Sequence, residues 1–305
     1  MTDGSAPSLA PSVFGFSIRS DIPLRFLRSG GGTESLAIAS TDSERDQPEG
    51  ELLGEWPLQG TAYPAHAKLF RVAGGYEYWT SDAGLFRVDV EGQRIVVPRS
   101  EDELLLEQRL YGMPMILSFV ARGDLSLHAA AVEIGSGAVI LAAPSKFGKS
   151  TLAFALQKAG HRMLSEDLIC CRPSTSEAIP GPALFRIRPD VFDGRLPKGL
   201  FIVSRRRDRV IVAFDEATRG SGRPLPIRGI VFLREGPQLG IESVPRPTAL
   251  KDLWRLSFRT GTEDARADSF RQLTQLASTV PCWNLNRPLL LDSMSSVVKL
   301  LEQRS

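Results

Sequence analysis

Hydrophobic and polar positions change their period twice along this chain. From Val13 to about Pro98, apolar residues recur in short runs at strand spacing: Phe14-Gly15-Phe16-Ser17-Ile18, Tyr76-Glu77-Tyr78-Trp79, Leu85-Phe86-Arg87-Val88 and Arg94-Ile95-Val96-Val97. Glycine-rich or charged turns separate them, which predicts a mostly β region. Two polar stretches, Ser29-Gly30-Gly31-Gly32-Thr33 and Thr41 to Gly50, read as loops within it. Between Glu101 and Ala121 the period turns helical. Its most apolar part, Leu110 to Ala121, is about a dozen residues interrupted by Pro114, against the ~20 a spanning helix needs. It reads as a buried or amphipathic helix, with a boundary between two regions near residues 100 to 122.

Beyond it, Leu127 to Ile134 and Ala138 to Ala142 are apolar runs joined by Gly135-Ser136-Gly137, a hairpin signal. Thr151 to Lys158 carries good helix formers and stops at Gly160, a C′ residue. Further strands are predicted at Arg162-Met163-Leu164, Phe185 to Arg188, Gly199 to Val203, Val210 to Phe214 and Ile230 to Arg234. The tail reads as helical over Leu250 to Phe258, Ser269 to Val280 and Ser293 to Leu301. No internal repeat is visible. The pattern predicts a mixed α/β (α+β) chain with a β-rich region over 1–100, a connecting helix over 101–122 and a second domain over 123–305 that ends in a helical tail.

Composition narrows the function classes. The 305 residues are 42% hydrophobic, enough for a buried core, and 37 basic against 35 acidic side chains leave a net charge of +2. No global field favours nucleic acid or an anionic membrane, so any anion site is local. The three cysteines, Cys170, Cys171 and Cys282, suit a reduced intracellular protein, and no ligand spacing for zinc occurs. Met1 to Pro11 is polar and lacks the apolar core of a secretory signal, so a cytoplasmic protein is expected.

Local chemistry is concentrated after the hairpin. Ala143-Pro144-Ser145-Lys146-Phe147-Gly148-Lys149-Ser150 fits G-x-x-x-x-G-K-[ST] everywhere except its first position, where alanine stands for glycine. A strand precedes this loop and a helix beginning near Thr151 follows it. In that context backbone N–H groups and the helix dipole converge on phosphates. Gly148 lets the backbone curl around them, Lys149 offers a point charge to the β- and γ-phosphates, and the Ser150 hydroxyl is placed for magnesium. ATP with Mg2+ is the expected ligand. Ala143 is tolerated if its φ is negative, and Pro144 stiffens the loop while removing a donor.

Two carboxylates follow at Glu166-Asp167, just past a strand. Adjacent side chains on a strand point to opposite faces, but in the loop beyond it both can face the phosphates. One would hold magnesium and the other accept the proton of an attacking hydroxyl. We place Asp167 with Ser150 on the metal and Glu166 as the base, with the reverse assignment open. His128 lies in the apolar run before the hairpin, a position where a lone histidine is more often a hydrogen-bonded core residue than a functional one. The basic run Ser204 to Arg209 suits either a solvated hairpin or an anionic peptide. Trp254, Phe258 and Trp283 suit core packing or a peptide groove.

From Leu125 to Asp193, the order histidine, hairpin, phosphate loop, helix, Gly160-His161-Arg162, strand and acidic pair resembles the C-terminal catalytic domain of HPr kinase/phosphorylase. It looks especially similar to the diverged members associated with lasso-peptide biosynthesis. The resemblance implies a nucleotide fold shared with phosphoenolpyruvate carboxykinase, a homo-oligomer, and transfer of phosphate from ATP to a serine of a peptide or protein. In the lasso-peptide relatives that acceptor is a serine near the C-terminus of a ribosomally synthesised precursor. It also implies that His128 assists the base and that Arg188 stabilises charge on the transferring group. Arg186 stands where the family has glutamate, Pro189 where it has glycine, and Glu166 where it has aspartate. A nucleotide-dependent binding module and a small-molecule kinase are the competing readings.

Overall fold

The structure is a computed structural model and describes residues 9–41, 48–58, 63–259, 262–289 and 294–304. Most of the N-terminal stretch read for a signal, the central part of the Thr41 to Gly50 loop, and the Ser293 start of the last expected helix lie outside them.

Nine strands form the first sheet: β1 (Pro11–Val13), β2 (Phe16–Ser20), β3 (Arg28–Ser29), β4 (Glu34–Thr41), β5 (Glu51–Leu58), β6 (Ala65–Val72), β7 (Gly75–Thr80), β8 (Gly84–Asp89) and β9 (Arg94–Pro98). Among the described residues they lie in the order β3-β1-β2-β4-β9-β8-β7-β6-β5, so β5 is an edge. Two helices follow, α1 (Glu103–Leu110) and α2 (Met113–Ala121). Asp102 caps α1 by accepting from the Leu105 N–H, and Pro114 sits in the first turn of α2, where a missing N–H costs nothing. Residues 113 to 119 of α2 are all buried, which accounts for the apolar run. Tyr78, Phe86, Ile95, Leu110 and Phe119 share one core that continues into Ile179, Leu184 and Ala213 beyond the helices.

The rest of the chain runs β10 (Leu125–Leu127), β11 (Ala129–Ile134), β12 (Gly137–Ala142), α3 (Lys149–Lys158), β13 (Arg162–Ser165), β14 (Ile169–Arg172), β15 (Glu177–Ile179), β16 (Leu184–Ile187), β17 (Leu200–Arg205), β18 (Val210–Phe214), β19 (Leu225–Glu235), β20 (Gly240–Ser243), α4 (Arg246–Leu256), α5 (Glu263–Thr279), β21 (Cys282–Arg287) and α6 (Met294–Glu302). The second sheet has the order β10-β14-β15-β19-β12-β11-β13, with β21 also on β19 and β20 on β21. Strands β16, β18 and β17 make a small third sheet. Both faces of β12 are covered, Val139 and Leu141 by the core around α3 and α6, Ala138, Ile140 and Ala142 by the core beneath α4 and α5. A continuous apolar run is what a strand buried on both faces requires.

Between α5 and α6 the tail expected to be helical contains β21, which pairs in parallel with β19. Its polar content, Asn284 and Asn286 among six residues, hid it. No helix of the described residues is long and apolar enough to cross a membrane.

Candidate functional site

Strand register alone gathers the site. Ala129 at the start of β11 pairs with Ala142 at the end of β12, and Ala131 pairs with Ser165 at the end of β13. Because β11 runs antiparallel to both neighbours, β12 and β13 point the same way. Their C-terminal ends, and His128 just before β11, therefore share one edge of the sheet. Strands β19 and β21, parallel to β12, also end there. The carboxyl edge of parallel strands is where open α/β sheets bind ligands.

From that edge the chain enters the phosphate loop. Ala143 is buried and does not take positive φ; the left-handed positions are Lys146 at φ 70° and Gly148 at φ 80°. The alanine at the motif's first position is thus unstrained, and Lys146 carries the unfavourable backbone instead. Pro144, Ser145 and Lys146 are exposed, while Phe147 is half-buried. Gly148 is the N-cap of α3, which has no side-chain cap and no acidic residue in its first turn. Gly148, Lys149, Ser150 and Thr151 line a cavity of about 920 Å³. The Lys149 ammonium, buried, donates to the Ala143 carbonyl at 2.7 Å and the Pro144 carbonyl at 3.1 Å. Burial lowers its pKa, opposed by the nearby Asp167 and Glu166 carboxylates.

Facing this helix start is the acidic pair. The Ser150 hydroxyl donates to Glu166 Oε1 at 2.5 Å, so Glu166, not Asp167, is the carboxylate beside Ser150. Asp167 adopts φ 69°, a turn that short polar side chains tolerate, and this swings its carboxylate to the same side as its neighbour's. Asp167 Oδ1 lies 3.0 Å from His128 Nε2, and Oδ2 accepts from Arg186 Nη2 at 2.5 Å. Arg186 Nε also reaches Glu166 Oε2 at 3.5 Å.

The two acids sit in different environments. The Glu166 side chain is 7% exposed, and burial raises its pKa against the pull of Arg186. The Asp167 side chain is 45% exposed. Such burial as it has works against its charge, but Arg186 and the His128 hydrogen bond prevail and hold its carboxyl well below the usual range. An ionised carboxylate only accepts hydrogen bonds, so His128 Nε2 is the donor in that pair.

Of the sequence-selected residues, His128, Lys149, Ser150, Glu166 and Asp167 line the same cavity, with Ser145, Lys146, Gly148 and Thr151 of the loop. Arg188 lines it too but does not reach the acids. Strand β16 ends at Ile187, so the Arg188 side chain has left the sheet and clamps Asp190 two residues on. The arginine on the acidic pair is Arg186, which the sequence marked only as standing where the family has glutamate. Arg287 was missed altogether. At the end of β21 it is 1% exposed and donates from Nη2 to the Phe147 carbonyl at 3.1 Å. A Cβ on Gly148 would lie 2.5 Å from that nitrogen. No carboxylate among the described residues pairs with Arg287, and its Nε has no acceptor there. Of the three aromatics, Phe258 lines the cavity, whereas Trp254 stacks under Arg259 and Trp283 packs across Gly229. The Ser204 to Arg209 run covers the end of β17 and the turn into β18, and its Arg209 reaches the cavity.

No protein-family model matches the chain. No curated relative matches either. A solved structure described as the HPr(Ser) kinase/phosphatase from Coxiella burnetii aligns over 58% of this chain and 94% of its own, at 11% identity and a TM-score of 0.31.

Proposed function

We propose that this protein is an ATP- and Mg2+-dependent phosphotransferase that moves the γ-phosphate to a seryl hydroxyl of a peptide or protein. One observation carries the reading: a phosphate loop at an uncapped helix start faces two carboxylates of unlike environment, with a histidine on one of them. A nucleotide-binding module needs the first carboxylate but not the second with its histidine.

The Ser150 hydroxyl and Glu166 carboxylate form a converging pair of hard oxygen donors beside the loop, which suits Mg2+ shared with nucleotide phosphates. Ser150 and Glu166 would hold the ion, the reverse of the assignment favoured by the sequence. When bound, it neutralises charge on the β- and γ-phosphates. Backbone N–H groups of 148 to 151 and the Lys149 ammonium bind the same phosphates. Lys149 exchanges its present contacts with the Ala143 and Pro144 carbonyls for phosphate oxygens.

Asp167 keeps lone pairs free beyond its bonds to His128 and Arg186, and its exposure leaves it open to an acceptor. It aligns the acceptor hydroxyl in line with the γ-phosphate and takes its proton as the new O–P bond forms and the bridging bond to ADP breaks. A strongly acidic carboxyl serves here because the hydroxyl sheds its proton late, when most of the charge has already moved. His128 holds Asp167 in place by its Nε2–H, and Arg186 ties both acids together. The resemblance in sequence makes a ribosomally synthesised precursor peptide, phosphorylated at a serine near its C-terminus, the acceptor we favour. The test is mass spectrometry of such peptides after incubation with protein, ATP and Mg2+. A gain of one phosphate that Lys149→Ala abolishes supports the reading; nucleotide binding without transfer to any hydroxyl refutes it.

A further inference from the structure

The cavity does not stop at the phosphate loop. It runs on to the first sheet and the α1–α2 turn, where Trp56, Leu58, Tyr78, Tyr111, Met113 and Ile116 line it. Trp56 lies on the edge strand β5, is half-buried, and stacks on Tyr78 with ring centroids 6.2 Å apart and planes 21° apart. Arg109, the cation on this wall among the described residues, is neutralised by a two-pronged pair with Asp82, at 3.1 and 2.5 Å. Phosphate chemistry therefore occupies one end of the space and an uncharged, largely apolar surface the other.

Among the described residues, four other than glycine take positive φ: Phe14, Lys146, Asp167 and Ser176. Three of them line this cavity. Phe14, at φ 48°, forms with Gly15 the two-residue turn joining β1 to β2, which takes positive φ at both positions.

We infer that this apolar arm is the acceptor subsite, formed by the N-terminal region, and that it takes a peptide segment whose phosphorylated serine stands next to a large apolar or aromatic side chain. The inference rests on the phosphotransferase reading and adds the class of acceptor. With the hydroxyl at Asp167, the neighbouring side chain continues along the cavity to the Trp56–Tyr78 stack. An acidic neighbour would lose its water against the apolar groups of this wall, where Arg109 is already paired with Asp82. A peptide bound this way also excludes water from the phosphates.

The test uses the full chain, ATP·Mg2+ and three octapeptides with one central serine flanked by leucine and phenylalanine, by aspartates or by lysines. We expect phosphate on the apolar peptide, with at least a tenfold higher KM for it in Trp56→Ala and in Leu58→Ala. Trp56→Phe is expected to stay within threefold, and the Kd for ATP to be unchanged in all three variants. Preference for an acidic or basic peptide, or a KM indifferent to both alanine variants, overturns the subsite while leaving the kinase standing. If no peptide gains phosphate though ATP·Mg2+ binds, the kinase reading falls. Fluorescence anisotropy of the labelled apolar peptide, with a non-hydrolysable ATP analogue present, then judges the arm by itself. Binding that Trp56→Ala abolishes supports it, and no binding overturns it.

Discussion

Glu166 and Asp167 are neighbours in sequence with opposite electrostatic fates, and the difference underlies the roles we propose for them. Burial against Ser150 raises Glu166, so its ionisation opposes folding increasingly as pH rises above the ordinary value of 4.5. If Glu166 holds Mg2+ as proposed, the same shift makes a proton compete with the ion at acid pH. Magnesium activation curves measured at several pH values should therefore shift to higher Mg2+ as pH falls through the raised carboxyl. In Glu166→Gln the curve should need at least tenfold more Mg2+ and lose that pH dependence. The sign is reversed for Asp167: held low by Arg186 and His128, it lends stability at pH above its ordinary 3.8, and the gain is lost only as pH falls below that. Asp167→Asn should cost at least a hundredfold in kcat with the Kd for ATP·Mg2+ within threefold, as expected of a positioned base. Equal losses of kcat and nucleotide affinity in that variant would contradict the assignment.

At the scale of elements, the phosphate loop is held from behind by a strand far away in sequence. Arg287 on β21 pins the Phe147 carbonyl exactly where Gly148 turns left-handed, and its buried charge lies close to the loop. Calorimetric titration should show Arg287→Met binding ATP about tenfold more weakly, while Gly148→Ala, which meets both the φ and the Arg287 nitrogen, should bind little if any. Unaltered ATP affinity in Arg287→Met would rule out this support. By contrast Ala143→Gly has no strain to relieve and should lower stability by about 0.4–1 kcal/mol through added freedom of the unfolded chain, read from denaturant midpoints.

This contrast shows what the chain discloses without its structure. The hairpin, α3 with Gly160 past its end and the strand before the acids were all legible, because their apolar runs and turn glycines act locally. Strands β4 and β21 were not, since they pair in parallel with partners far along the chain, and neither were β5 and β6, whose polar residues break the period. Arg186 and Arg287 became visible as site residues only when strand pairing brought them to the loop. Arg188 lost its expected place because the strand ends one residue before it.

For the whole molecule, Arg28 joins the first sheet to the site. Fully buried, it donates to the carbonyls of Gly181 at 2.8 Å, Met163 at 3.1 Å and Leu164 at 3.0 Å, and to that of Arg219. Two of those carbonyls belong to the strand that delivers the acidic pair. Arg28→Met should destabilise the protein by about 3 kcal/mol, because carbonyls buried with this side chain lose their donors. We propose that the loop and the acids form one metal-nucleotide site. Isothermal titration of ATP, with and without Mg2+, into the wild type, Lys149→Ala and Glu166→Gln tests it most directly. One ATP per chain is predicted, bound at least tenfold more tightly with Mg2+ in the wild type, with that gain lost in Glu166→Gln and binding lost in Lys149→Ala. Binding that is indifferent to Mg2+ in the wild type, or that survives Lys149→Ala, would contradict it.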